Sequence, residues 1–152
     1  MTIAVQVETE IRRPPAAVYD ELVAVDRFPR WLIASGIVRV ERLDEGPLAL
    51  GSRLRISQLV GGRSATLEGT ITALEPGATF GLRGRDAEGV TIELDAQLLS
   101  DDAVTTRLRW SVHMGLPLRY RMFESMVAAQ AKRAATLDIE AFKRRLESVA
   151  GS

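Results

Sequence analysis

Histidine and cysteine, which often carry out acid–base and nucleophilic chemistry near neutral pH, are almost absent from this sequence of 152 residues. His113 is the one histidine, and there is no cysteine. A histidine at a cavity mouth can act as a general base. However, His113 falls among the polar positions of an alternating segment, together with Arg107, Arg109 and Ser111. We therefore expect it on a solvated face, and we predict no catalytic residue.

Carboxylates are paired at two places, Glu93 with Asp95 and Asp101 with Asp102. Such pairs can hold a metal ion or exchange protons. The first pair alternates with apolar residues, as on the exterior of a sheet, and the second falls in a turn. One histidine without any cysteine makes a poor ligand set for a transition metal. We predict neither a metal site nor a cofactor.

Two glutamines stand in rows that are otherwise apolar. Gln58 alternates with Leu54, Ile56 and Val60, and Gln130 falls in the apolar stripe of the last segment. A buried amide without a partner costs about 1–3 kcal/mol. Either the protein satisfies these amides, or they face a cavity and meet the polar group of a ligand.

The elements that position these side chains follow from periodicity. Residues 3–11 alternate, which predicts a strand. Pro14 and Pro15 end it and suit the start of a helix that buries Val18, Tyr19 and Leu22. Asp26 is predicted to cap a second short helix with Pro29 in its first turn.

Residues 37–114 read as six further strands in a meander. Apolar and polar residues alternate in each segment, and turn signals such as Gly61–Gly62, Pro76–Gly77 and Asp101–Asp102 separate them. Short connections between neighbouring strands predict antiparallel pairing.

The segment from Leu118 to about Val149 lacks glycine and proline, which predicts one long helix. Its predicted buried stripe comprises Phe123, Met126, Val127, Gln130, Ala134, Leu137, Ala141 and Leu146. The predicted opposite face comprises Lys132, Arg133, Glu140, Lys143 and Arg144.

Length and composition indicate one globular domain over residues 1–152. Apolar residues make up 46% and charged residues 26%, and the formal net charge is zero. This balance argues against a nucleic-acid partner. The N-terminus has no signal-like apolar run, and no apolar segment reaches the ~20 residues that cross a bilayer. We expect a cytoplasmic protein without stable membrane insertion.

The element order predicts an α+β fold. A curved, seven-stranded antiparallel sheet must cover its apolar face, and the long C-terminal helix is the one large element available. The two short helices between strands 1 and 2 would then plug one end of the groove. Phe28, Trp31 and Leu32 are predicted to close that end and contact a ligand.

The sequence also resembles a known family over essentially its whole length. The segment "PPAAVYDELVAVDRFPRWL", Gly51–Ser52 with Leu54, the Leu-Glu-Pro ending "ITALEP" and the closing "LDIEAFKRRLE" carry the resemblance. They are similar to the START-like (SRPBCC) helix-grip superfamily, also called Bet v 1-like, in its polyketide cyclase/dehydrase-type and lipid-transport-type branch. The resemblance implies a deep apolar cavity between sheet and helix.

Three functions are compatible with such a cavity. The favoured one is binding, or transport, of a hydrophobic small molecule such as a lipid or a polyketide-like compound. The alternatives are an enzyme resembling polyketide cyclases or dehydratases, which folds its substrate into a reactive conformer, and a protein-interaction module. The predicted ligand-binding residues are Phe28, Trp31, Leu32, Leu54, Ile56, Gln58, Phe80, Leu82, Ile92, Leu94, Leu108, Trp110, Met122, Phe123, Met126 and Gln130.

Overall fold

The computed structural model describes residues 2–100 and 102–150. Its seven strands form one antiparallel sheet in the order β1-β7-β6-β5-β4-β3-β2. The strands are β1 (Thr2–Ile11), β2 (Ile37–Arg42), β3 (Arg53–Val60), β4 (Arg63–Glu75), β5 (Thr79–Arg85), β6 (Thr91–Leu99) and β7 (Thr106–Gly115). The helices are α1 (Pro15–Val23), a 3-10 helix (Val25–Arg30), a second 3-10 helix (Leu118–Phe123) and α2 (Glu124–Ala150).

The sheet curves around α2, so the predicted helix-grip architecture is confirmed. Directly paired residues share a face, and one row of pairs runs from Val7 through Trp110 and Ala96 to Phe80. These residues and their equivalents in neighbouring rows form the concave, apolar side. Helix α2 packs mainly against β1. The chain makes its hairpin between β3 and β4 with Gly61 and Gly62 at φ 58° and 79°, a conformation that favours glycine.

The convex face carries charges that pair across the strands. Glu8 on β1 lies 3.6 Å from Arg107 on β7, and Arg83 on β5 lies 2.8 Å from Glu93 on β6. His113 is exposed on the same face. The predicted exterior position of Glu93 and His113 is therefore confirmed. Exposed pairs of this kind contribute about 0–1 kcal/mol each.

Two local predictions are wrong. The second short helix is a 3-10 helix whose N-cap position is Ala24, so Asp26 lies inside it and makes no capping bond. Pro29 is its fifth residue rather than part of its first turn, and the helix ends one residue later, at Arg30. At the other end of the chain, α2 begins at Glu124, after a 3-10 helix that follows Pro117.

The buried stripe of α2 differs from the predicted one. Its buried residues are Ala135, Asp138, Ile139, Phe142 and Leu146, whereas Leu137 is exposed. The prediction placed the buried face of the whole helix on the side of Phe123 and Met126. Both residues are exposed, and they precede the part of the helix that packs against the sheet. Asp138 is buried, but as a charged residue it did not fit the apolar spacing from which the buried stripe was predicted. Asp101, half of one predicted turn, lies outside the described residues.

Candidate functional site: a cavity between sheet and helix

A cavity of about 820 Å³ lies between the concave face and the first half of α2. This volume falls within the roughly 300–1,000 Å³ that is usual for small-molecule sites. Its walls are mostly apolar: Ile56, Leu82, Leu94 and Trp110 come from the sheet, and Val127 comes from the helix. Small residues line the gap between sheet and helix at this point, among them Ala131 and Ala134 of α2 and Gly84 of β5. Their short side chains leave the space unfilled.

Polar groups are few in this cavity. Five of its lining residues have polar or charged side chains: Ser35, Gln58, Arg63, Gln130 and Arg133. No Asp, Glu or His of residues 2–100 and 102–150 lines it. The same part of the chain holds no group of three or more potential metal-binding His, Cys, Asp or Glu side chains.

Asp138 holds one wall of the cavity in place from behind. It is 1% exposed, and its carboxylate accepts hydrogen bonds from the backbone N–H of Ala34 at 2.7 Å and of Ser35 at 3.1 Å. The Ser35 hydroxyl donates to it at 2.5 Å. Gln58 then donates from its amide nitrogen to the Ser35 carbonyl at 2.8 Å. Through these bonds, helix α2, the loop after the 3-10 helix and strand β3 are joined at the cavity wall.

The protonation of Asp138 depends on two opposing effects. Burial raises the pKa of its carboxyl above the ordinary value, and the three hydrogen bonds from Ser35 and Ala34 lower it in part. The desolvation effect is the larger, so the net pKa is raised. The group nevertheless points into the protein rather than into the cavity, since Asp138 does not line it.

Aromatic rings fill the inner end of the space between the sheet and α2. The Trp31 ring lies 4.6 Å from the Phe142 ring and 5.6 Å from those of Phe28 and Trp110, measured between centroids. Trp31 is 0% exposed, and its indole N–H has no hydrogen-bond partner in the described part of the chain. Trp31, which was predicted to close one end of the groove and contact a ligand, therefore packs in the core against Phe28 and Trp110 and does not line the cavity. Those two residues do line the cavity.

The outer end forms a mouth of exposed side chains. Val60 of the β3–β4 hairpin and Met126 and Leu137 of α2 line it and remain exposed. Glu88 joins two elements beside it: its carboxylate pairs with Arg63 at 3.4 Å and accepts a hydrogen bond from the Tyr120 hydroxyl at 2.5 Å. The Tyr120 bond is the main cause of the lowered pKa of Glu88, and Arg63 and Arg119 add to it.

The structure brings ten of the predicted ligand-binding residues to the cavity wall: Phe28, Leu32, Ile56, Gln58, Leu82, Ile92, Leu94, Trp110, Met126 and Gln130. The other six do not line it. Trp31, Leu54, Phe80 and Leu108 face the helix but lie within the packed core, each fully buried. Met122 and Phe123 belong to the 3-10 helix before α2, where Met122 is 90% exposed and points away from the cavity wall.

Sequence reasoning missed four residues that shape the site. Ser35 and Asp138 meet across 103 positions of sequence, and no local pattern links them. Arg63 sits in a hairpin and Arg133 was assigned to the opposite face of α2, yet both line the mouth. The observed orientation of α2 would have indicated Arg133, since Gln130, Arg133 and Leu137 follow one another along one face at intervals of about one helical turn.

A second, smaller cleft lies on the outside between α1 and α2, with a volume of about 280 Å³. Its polar centre is Glu21, whose carboxylate pairs with Arg145 at 2.7 Å and with Arg27 at 3.1 Å. These groups already satisfy one another, and the cleft has little apolar surface to hold a hydrophobic guest. The Glu21–Arg145 ion pair in this cleft therefore attaches α2 to α1.

Residues 2–147 match the family model described as "Polyketide cyclase / dehydrase and lipid transport". No protein of curated function matches the chain at the level of sequence. Solved structures resemble it over nearly the full length. The Zhui aromatase/cyclase from Streptomyces sp. R1128 is 18% identical with a TM-score of 0.78, and the match covers 97% of this chain and 94% of that one.

Two further structures widen the comparison. A START superfamily protein from Mycobacterium smegmatis is 14% identical, with a TM-score of 0.79 and coverage of 97% of this chain and 99% of that one. Norcoclaurine synthase from Thalictrum flavum, in complex with dopamine and hydroxybenzaldehyde, is 10% identical with a TM-score of 0.68. That match covers 97% of this chain and 88% of the synthase. At these identities the likeness establishes the shared fold.

Proposed function

The chain belongs to the polyketide cyclase/dehydrase and lipid transport family, whose fold binds hydrophobic ligands, and on this premise we propose that it binds and carries one such small molecule in the cavity between its sheet and α2. The ligand class is a lipid or a polyketide-like compound. The observation that carries the proposal is the cavity of about 820 Å³ with a largely apolar wall. Transfer of apolar surface from water into such a wall is favourable by about 25 cal/mol per Å².

Ligand contact is proposed for the ten predicted residues that line the cavity. Met126 adds an adaptable wall at the mouth, since methionine is unbranched and polarisable. Gln58 already donates to Ser35, so its carbonyl oxygen is the group left for a ligand. Gln130 is exposed at the mouth, where its amide can reach the polar end of a guest.

Gly84 offers a direct test, because it lies on the cavity wall, one residue before the end of β5. A Cβ atom added there would meet its nearest neighbour, the Leu67 Cβ, at 3.6 Å, which is ordinary contact. Gly84→Leu should therefore fold normally and place its side chain in the cavity. Binding of the neutral dye N-phenyl-1-naphthylamine, followed by its fluorescence, should weaken about tenfold, or about 1.4 kcal/mol.

Arg85→Leu is the matched control, because Arg85 is the next residue and points to the convex face. It should leave dye affinity unchanged, and circular dichroism should confirm that both variants fold. Dye binding that is absent from the parent protein, or equal in folded Gly84→Leu and the parent, would contradict the proposal.

No specific observation favours the enzyme alternative. A cyclase-like or dehydratase-like reaction needs groups that move protons, and none of the described cavity-lining residues is an Asp, Glu or His. The hydrogen bond between Ser35 and Asp138 is accounted for by the loop that it anchors. The interaction-module alternative gains no support either, since the convex face is rich in ion pairs such as Arg55 with Glu68. Within the described residues no helix is long and apolar enough to span a membrane, and a cytoplasmic location stays a prediction.

A further inference from the structure

The charges at the cavity are all of one sign. Among the described residues that line it, only Arg63 and Arg133 are charged, and both are at the mouth, whereas the whole chain has a formal net charge of zero. Elsewhere on the sheet several arginines pair with carboxylates of neighbouring strands, as Arg83 does with Glu93. The positive mouth is therefore a local feature that the overall composition does not explain.

The two arginines differ in how far the protein already satisfies them. Arg63 pairs with Glu88 at 3.4 Å, with its side chain 78% exposed. Arg133 forms no salt bridge within residues 2–100 and 102–150. It lies one helical turn from Gln130, whose side chain also lines the mouth. Arg133 is thus the guanidinium that is available to a ligand, and Arg63 is available in competition with Glu88.

The polar groups deeper in the cavity are engaged within the protein. The Ser35 hydroxyl donates to Asp138, and the Gln58 amide nitrogen donates to the Ser35 carbonyl. A negatively charged ligand group placed there would also lie close to the buried carboxyl of Asp138, 2.5 Å from the Ser35 hydroxyl oxygen. The inner end therefore suits an apolar group, and the mouth suits an anionic one.

We propose that the cavity selects amphipathic ligands with one anionic head, a carboxylate or a phosphate, which Arg133 and secondarily Arg63 bind at the mouth while the apolar body lies inside. The guanidinium presents N–H donors in a planar fork that matches both anions. Gln130 adds an amide donor beside Arg133. This inference rests on the proposed binding function and names the chemistry of its ligand.

The test compares three probes with the same apolar chain: dodecanoate, dodecyl phosphate and neutral methyl dodecanoate. Each displaces N-phenyl-1-naphthylamine from the protein at low salt, below the critical micelle concentration of the probe. The two anions should bind about tenfold tighter than the ester. Arg133→Gln should weaken the anions about fivefold, as for an exposed ion pair of about 1 kcal/mol, and leave the ester unchanged. Arg63→Gln should have a smaller effect, because Glu88 already occupies that side chain.

Arg144→Gln is the matched control, since Arg144 is an exposed arginine of α2 that does not line the cavity. It removes the same charge and should leave all three affinities unchanged. The preference for anions should also shrink as salt is raised from about 0.01 M to 0.15 M, where the screening length falls from about 30 Å to about 8 Å.

The outcomes separate this inference from the function on which it rests. If the ester binds as tightly as the anions, the anionic head is wrong, although the cavity still binds hydrophobic molecules. If Arg144→Gln weakens the anions as much as Arg133→Gln does, general attraction replaces the mouth site and the inference is wrong. If the parent protein binds neither the dye nor any probe, the proposed function itself fails. A preference for one anion over the other supports the inference and identifies the head group.

Discussion

The two halves of α2 face different surroundings. In the second half, Ile139, Phe142 and Leu146 are buried, and α2 packs mainly against β1. In the first half, Met126 is exposed at the cavity mouth, and Met122 and Phe123 just before it are exposed as well. Both halves are amphipathic in sequence. The difference lies in what stands opposite them, which is aromatic packing of Phe142 against Trp31 at one end and an open cavity at the other.

This contrast suggests a division of roles along one helix. The ion pairs of α2 repeat it, because Arg145 with Glu21 and Arg12 with Glu147 hold the second half to α1 and to the end of β1. In the first half, Lys132 donates one hydrogen bond to the Gln6 carbonyl of β1 at 2.8 Å. Stability should therefore depend on the packed half. Ligand access should depend on the open half, where few buried contacts resist local opening.

The sharpest test of this division is a pair of truncations on the same helix. Phe142→Ala removes a fully buried ring that contacts Trp31, and it should lower the free energy of unfolding by about 3–5 kcal/mol. Met126→Ala, in the open half, should change it by less than about 0.5 kcal/mol. Urea denaturation followed by circular dichroism measures both. Equal losses in the two variants would show that the open half carries as much of the stability as the packed half.

Asp138 marks the boundary between the two halves, and its removal should have the next largest effect. Asp138→Ala leaves the N–H groups of Ala34 and Ser35 without their acceptor, which should cost about 1–3 kcal/mol of stability. Hydrogen exchange at these two amides should also accelerate. Glu140→Ala is the control, since Glu140 is exposed on the same helix. Unchanged exchange at Ala34 and Ser35 would show that the loop is held by other contacts.

The smallest expected effect is on pH dependence. Because the pKa of Asp138 is raised in the folded protein above its ordinary 3.8, the folded state holds this proton more tightly than the unfolded state. The resulting stabilisation is complete below the unfolded pKa and is lost as pH rises through the folded value. The stability of the parent relative to Asp138→Asn should thus fall as pH rises above 3.8. Urea midpoints across this range measure it. A relative stability that rises with pH would mean that the hydrogen bonds to the carboxylate outweigh its desolvation.

The strands were predictable because their signal is local. Alternation places Ile56, Leu82 and Leu94 on one face whatever the rest of the chain does, and the structure puts all three on the concave side. The turn at Gly61–Gly62 was predictable for the same reason. The helices were less so, since the 3-10 helices at Val25–Arg30 and Leu118–Phe123 change the phase of the chain without a clear sequence signal.

The sequence predicted which residues of the candidate site point inward, but not which of them line the cavity and which lie in the packed core. Phe80 and Leu82 stand two residues apart on the same face of β5, yet only Leu82 lines the cavity. Phe80 is covered by the aromatic cluster around Phe28, 6.2 Å from its ring. Sequence alternation cannot distinguish a side chain that meets another side chain from one that meets a void, because both are apolar and point inward.

The sequence by itself determined the order of the elements, the antiparallel meander and the face that each strand turns inward, because these depend on periods of two and about 3.6 residues along the chain. Only the tertiary structure decided where the sheet separates from α2, which inward residues line the resulting cavity, and that Asp138 would be buried against Ser35. Those outcomes depend on contacts between residues far apart in sequence. They also depend on hydrogen bonds that make burial of a carboxyl group tolerable, and neither leaves a mark in local hydrophobicity.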